Sequence, residues 1–281
     1  MRTYIKPILL LVAVVFSSCQ DPINVDVPVA APRLVIEASI DWQKGTTGNN
    51  QTIKLSTSTP YFDTNIDNNV TGASVKIINN NSTAEFIFAD QNNGTYTTST
   101  FVPVINNSYT LEVIYNGEIY TATENFTSVS AINNVTQSIE GGFDDTLLEV
   151  NIFWNDPADE ENYYFLKLQR EGDVFPVIFN YPDEFVNGNV LEEFFENEGS
   201  GNDDDSPFLQ GDVVDIFLYG ISEQYNNYIQ LLIEQYEAGG DPFAATPAEI
   251  KGNCTNLTTI DNYAFGYFRL SEYDTVNYTF Q

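Results

Sequence analysis

From residue 33 to residue 128, apolar and polar positions alternate with a period of two, the spacing of half-buried strands. Leu34, Ile36, Ala38 and Ile40 alternate with Val35, Glu37, Ser39 and Asp41. Ile53 and Leu55, Val75 and Ile77, and Phe86 and Phe88 repeat the pattern. The stretches KGTTGNN, NIDNN, INNNS and DQNNG punctuate these runs as turns. SYTLEVIYNGEIYTATENF reads as a hairpin, because Asn116 and Gly117 suit a type I′ turn, whose two central residues need positive φ. Tyr109, Leu111, Val113 and Tyr115 mark one arm, and Ile119 and Thr121 the other. About seven short strands in about 100 residues predict an immunoglobulin-like β-sandwich over residues 33–128.

A second β-rich unit is predicted over residues 129–281. Leu148, Val150, Ile152 and Trp154 alternate, as do Tyr164, Leu166 and Leu168. A Trp closing one strand, a Pro turn and a Tyr-rich strand resemble the early strands of fibronectin type III domains. Residues 183–210 are acidic, aromatic and without period, so they read as an insertion. One amphipathic helix is predicted over residues 222–238. Ser222 serves as N-cap and Glu223 complements the helix dipole. Tyr225, Tyr228, Ile229, Leu232, Ile233 and Tyr236 form one apolar stripe that packs on a sheet, and Gly239, Gly240 and Pro242 end the helix. YAFGYFRLSEYDTVNYTF predicts a closing pair of strands.

The first 18 residues differ in kind. Arg2 and Lys6 precede the unbroken apolar run ILLLVAVVF at 8–16, which is shorter than the ~20 residues needed to span a bilayer. A positive start, a short apolar run and the small residues Ser17 and Ser18 make a signal peptide over residues 1–18. Cys19 follows at once, and the segment resembles a lipobox. That resemblance implies cleavage before Cys19 and acyl chains on its sulfur and amine, which tie the chain to a membrane. Residues 19–32, with Pro22, Pro28 and Pro32, read as an extended tether reaching at most ~40 Å. Asp21 and Asp26 supply an acidic start after the cysteine, which points to the cell surface rather than the periplasmic face of an outer membrane.

Composition narrows the chemistry. The net charge is −30, and loss of Arg2 and Lys6 with the signal peptide makes the remainder more negative. Such a surface repels nucleic acid, which is excluded as a partner. The chain has no histidine, which removes Ser-His-Asp and Cys-His catalysis and histidine-ligated metals. With Cys19 acylated, Cys254 has no partner, so neither a disulfide framework nor a cysteine zinc site is expected.

Several motifs, in order, resemble one family: outer-membrane lipoproteins of Bacteroidetes catalogued as domain of unknown function 4249. They are the lipobox cysteine with LVIEASI (34–40); VTGASVKI (70–77), NGTY (93–96) and YTLEVIYNGEIYTA (109–122); NYYFLKL (162–168); and ISEQYNNYIQLLIEQ (221–235), GNCTN (252–256) and AFGYFRLS (264–271). Cys254 and Arg269 depart from residues more typical of that family. The resemblance implies a non-enzymatic accessory or ligand-binding lipoprotein that partners a TonB-dependent β-barrel receptor, and it carries over no catalytic residues.

Two other readings compete with it. A Ca²⁺-dependent adhesion module would use acidic loops, with candidates Asp156, Asp159 and Glu160 in NDPADEEN and Asp203, Asp204 and Asp205 in GNDDDSP. Clustered carboxylates suit Ca²⁺, although neither loop has EF-hand spacing, and no other cofactor is expected. A carboxylate-pair glycosidase would need two acids facing one cleft at ~5–9.5 Å. For contact with ligands, Tyr61, Phe62 and the aromatics of residues 179–195 are expected to be exposed. Thr146 and Thr275 sit in Asp-Thr-aliphatic tripeptides that resemble an O-glycosylation signal of Bacteroidetes envelope proteins.

Overall fold

A computed structural model describes residues 31–60, 67–158, 160–184, 186–197, 206–238 and 249–281. Seven strands fall where the first alternating runs lie: β1 (Leu34–Gln43), β2 (Gln51–Thr57), β3 (Ser74–Asn79), β4 (Glu85–Asp90), β5 (Thr95–Thr98), β6 (Ser108–Tyr115) and β7 (Glu118–Asn125). Their pairing order is β1-β2-β5-β4-β3-β6-β7. β4 turns the corner: Phe86 and Phe88 lie opposite Ile77 and Val75 of β3, whereas Ala89 and Asp90 pair with β5. The curled sheet closes around Ile36, Ile40, Ile53, Leu55, Leu111 and Phe126, each almost fully buried. Burial of each such side chain contributes roughly 1.5–3 kcal/mol.

The turn between β6 and β7 fixes the hairpin register. Asn116 and Gly117 adopt φ of 50° and 80°, the signature of type I′. Val113 is thereby set opposite Tyr120 and Leu111 opposite Ala122. The inward residues of the second arm are therefore Tyr120 and Ala122 rather than Ile119 and Thr121. A two-residue turn leaves no freedom, and a slip of one position reverses the faces.

The remaining strands are β8 (Ile132–Ser138), β9 (Glu149–Asn155), β10 (Tyr163–Arg170), β11 (Val177–Pro182), β12 (Val190–Glu196), β13 (Val213–Ile221), β14 (Thr255–Asn256) and β15 (Phe265–Thr279). β12-β9-β8 form a separate sheet, while β11-β10-β13-β15 extend the first one alongside β1. A second core of Val150, Ile152, Trp154, Leu166, Ile216 and Leu218 fills the space between them. Among the described residues the protein is thus mainly β, as the alternation predicts, with one helix.

The expected insertion is partly built into this core. β12 pairs with β9, placing Leu191 opposite Trp154, and Phe208 is buried. The paired acids Glu192 and Glu193 and the paired rings Phe194 and Phe195 hide its alternation. The aromatics expected to be exposed are largely packed: Phe179 meets Phe195 at 5.7 Å, and Tyr181 meets Trp154 at 5.8 Å. Tyr61 and Phe62 lie outside the described residues.

The chain ends in one strand, not a pair. The first nine residues of β15 run parallel to β1, from Val35↔Phe265 to Gln43↔Tyr273. From Tyr273 onward it runs antiparallel to β13. Phe268 and Leu270 enter the first core, and Phe280, just past its end, enters the second. No two-residue turn interrupts the sequence, so the strand continues and changes partner instead. Gly266 (φ 88°) permits the close approach to β1, since an added Cβ would lie 2.1 Å from the Ile36 carbonyl oxygen.

The helix forms as predicted. α1 (Glu223–Glu237) is capped by the Ser222 hydroxyl, which accepts from the Tyr225 N–H at 3.2 Å. Tyr225 and Ile229 are buried against the sheet. Leu232 and Tyr236, on the same stripe, are exposed, because only the first part of the helix overlies the strands.

Candidate functional site

On β15, Phe268 and Leu270 point into the first core, so Tyr267, Arg269, Ser271 and Tyr273 point to the opposite face. Asp41 joins them from β1, Phe165 and Lys167 from β10, and Phe217 and Tyr219 from β13. α1 covers one end of this face with Tyr225 and Tyr228. The result is an arginine inside an aromatic cage. The Arg269 guanidinium lies 4.9 Å from the ring centroids of Tyr219 and Tyr225 and 5.8 Å from that of Phe165. Its Nη2 donates to Asp41 Oδ1 at 2.7 Å. Burial alone would lower Arg269, but the Asp41 carboxylate beside it holds it above its ordinary value. Lys167 adds a second cation, 4.6 Å above the Phe217 ring.

Arg269 Nε, Arg269 Nη1 and Ser271 Oγ are buried without a hydrogen-bond partner among the described residues. Leaving such donors unmatched costs ~1–3 kcal/mol each. A carboxylate or carbonyl oxygen is the chemical complement of the free N–H groups. The sequence offered a faint signal here, a lone arginine within the aromatic run YFRLSEY.

The residues singled out from sequence are dispersed. Cys19, Asp159, Asp203, Asp204 and Asp205 lie outside the described residues. Asp156 is buried and structural: its Oδ1 accepts from the Tyr164 hydroxyl at 2.5 Å and its Oδ2 from the Gly188 N–H at 2.8 Å. Burial, the hydrogen bond to Asp156 and its charge push the Tyr164 phenol up. Burial, followed by the charge of Asp156, also raises nearby Asp183. Glu160 is exposed. No cluster of three or more metal-ligating side chains occurs among the described residues.

Thr146 is exposed in the loop before β9, where its N–H and hydroxyl both donate to Asp144 Oδ1. Thr275 is half-buried within β15, opposite Phe217. Cys254 is buried in the first core, and burial pushes its thiol up to about 12, so it is not a nucleophile at neutral pH. A shallow depression beside β2 and β5, lined by Gln51, Thr52, Thr97 and Ser99, presents amides and hydroxyls but no ionisable group.

Among solved structures, a two-domain fibronectin type-III segment of chicken tenascin is 9% identical, with a TM-score of 0.21 over 69% of this chain and 89% of that one. A cytokine receptor complex is 10% identical, with a TM-score of 0.26 over 66% and 89%. A DUF4785 family protein from Legionella pneumophila is 13% identical, with a TM-score of 0.25 over 66% and 51%. All three likenesses are low. No curated protein matches the sequence. A family model described as a domain of unknown function, DUF4249, matches residues 20–276, and the chain belongs to that family.

Proposed function

We propose that this protein is a non-enzymatic lipoprotein, anchored in an outer membrane through acyl chains on Cys19, that acts as an accessory or ligand-binding partner of a TonB-dependent β-barrel receptor. The observation that carries the reading is the junction at Cys19. A charged start, an apolar run and two small residues lead to this cysteine, and the family match begins at Gln20, directly after it. The buried state of Cys254 leaves Cys19 as the cysteine available for modification. For ligand binding, the support is the caged Arg269 with its unmatched donors beside Ser271. The receptor partnership and the surface-facing location rest on the family resemblance and on Asp21 and Asp26.

The test is extraction of native membranes in mild detergent, followed by capture of this chain. Co-purification of a large β-barrel supports the partnership. Recovery of free monomer alone contradicts it.

A further inference from the structure

The loop between β14 and β15 is organised around one buried amide, Asn256, which is 1% exposed. Asn256 Oδ1 accepts from the N–H groups of Thr258 and Thr259, both at 2.9 Å. Its Nδ2 donates to Glu118 Oε2 at 2.9 Å and to the Asn262 carbonyl at 2.8 Å. The Thr259 hydroxyl donates to Glu118 Oε1 at 3.1 Å, and the Ile119 N–H donates to Thr258 Oγ1 at 3.1 Å. This network holds the loop rigid while presenting two aliphatic side chains to solvent: Leu257 is 62% exposed and Ile260 is 80% exposed.

Arg33, the first residue of the predicted folded part, lies against this loop. Arg33 Nη1 donates to the Asp261 carbonyl at 2.9 Å, and the Arg33 guanidinium lies 3.8 Å from the Tyr263 ring centroid. Lys251 Nζ lies 4.0 Å from the same centroid. Only residues 20–32 separate Arg33 from Cys19, a reach of at most ~40 Å. Two aliphatic tips, a tyrosine and two long cations are the residue types that seat in a lipid headgroup layer. Glu249 lies 3.7 Å from Lys251, the Glu118 carboxylate accepts from Asn256 and Thr259, and Asp261 adds a third acidic residue to this loop, so the two cations give the rim no positive excess. The rim therefore suits zwitterionic headgroups rather than anionic ones.

The geometry points to Leu257 and Ile260 as a membrane contact that seats this edge of the protein on the bilayer to which Cys19 is tied. The inference rests on the anchor reading above and adds an orientation to it. The test uses the acylated full chain carrying Ile260→Cys, labelled with a thiol-reactive fluorophore, on phosphatidylcholine vesicles containing a nitroxide lipid. Cys254 is buried and does not compete for label. Phe175→Cys, at a residue 78% exposed, is the control. Flotation is measured first: protein that does not float overturns the anchor and this inference with it. If it floats, quenching at position 260 is expected to exceed that at position 175 at least about twofold, since interfacial side chains bury roughly 5–10 Å deep. Floating protein with equal, weak quenching at both positions overturns the loop contact and leaves the anchor standing. Cross-linking from position 260 to a protein rather than to lipid in native membranes also overturns it, in favour of a docking site for the receptor.

Discussion

At the scale of single residues, buried polar groups make sharp claims. Glu124 is buried on the first half of the fold, where its Oε1 accepts from the Tyr267 hydroxyl at 2.8 Å and from Asn253 Nδ2 at 3.2 Å. Burial raises its carboxyl above the ordinary value of 4.5, although these hydrogen bonds oppose the shift. The folded state therefore keeps this proton longer than the unfolded chain does. The stability it contributes is present below about pH 4.5 and is lost as pH rises through the folded value. Glu124→Gln keeps the acceptor and removes the charge. It is expected to melt at the same or a higher temperature than the parent at neutral pH, with a smaller fall between acidic and neutral pH. Gly266 makes a backbone claim. Gly266→Ala puts a Cβ at φ 88° against the Ile36 carbonyl and is expected to cost at least ~2 kcal/mol in denaturant unfolding.

At the scale of elements, the legible features were those whose signal is local. The strands containing Leu34–Gln43 and Tyr163–Arg170 follow from strict alternation, the turn from Asn116-Gly117, and the helix from its stripe and Ser222. Ser222→Ala is expected to cost about 1 kcal/mol, measured by thermal unfolding, because one helix N–H loses its acceptor. The illegible features depend on partners distant in sequence. β12 is a strand because β9 offers it an edge and Trp154 a surface for Leu191. β15 stays continuous because β1 and β13 receive its two parts in turn. Asp156 looked like a loop ligand because nothing near it in sequence announces Gly188 as its donor. The caged Arg269 is of the same kind, assembled from β1, β10, β13, β15 and α1.

At the scale of the whole molecule, β15 joins two cores that the linear pattern separates. Trp42 meets Phe126 edge-to-face at the first core, with centroids 5.8 Å apart, and Trp154 lies within the second. Trp42→Phe and Trp154→Phe thus leave one reporter for each core. In each variant, fluorescence and far-ultraviolet circular dichroism are expected to unfold at the same denaturant concentration. A fluorescence transition displaced from the circular-dichroism transition would mean that β15 does not couple the halves. The net charge of −30 works against compactness, so added salt is expected to raise the melting temperature at neutral pH. The same charge fits a protein displayed to solvent from an anchor. The anchor is tested most directly by mass spectrometry of the N-terminal peptide of the protein taken from native membranes. The expected peptide begins at Cys19 and carries acyl chains on its sulfur and amine. An unmodified Cys19, or a mature chain beginning elsewhere, would contradict the account.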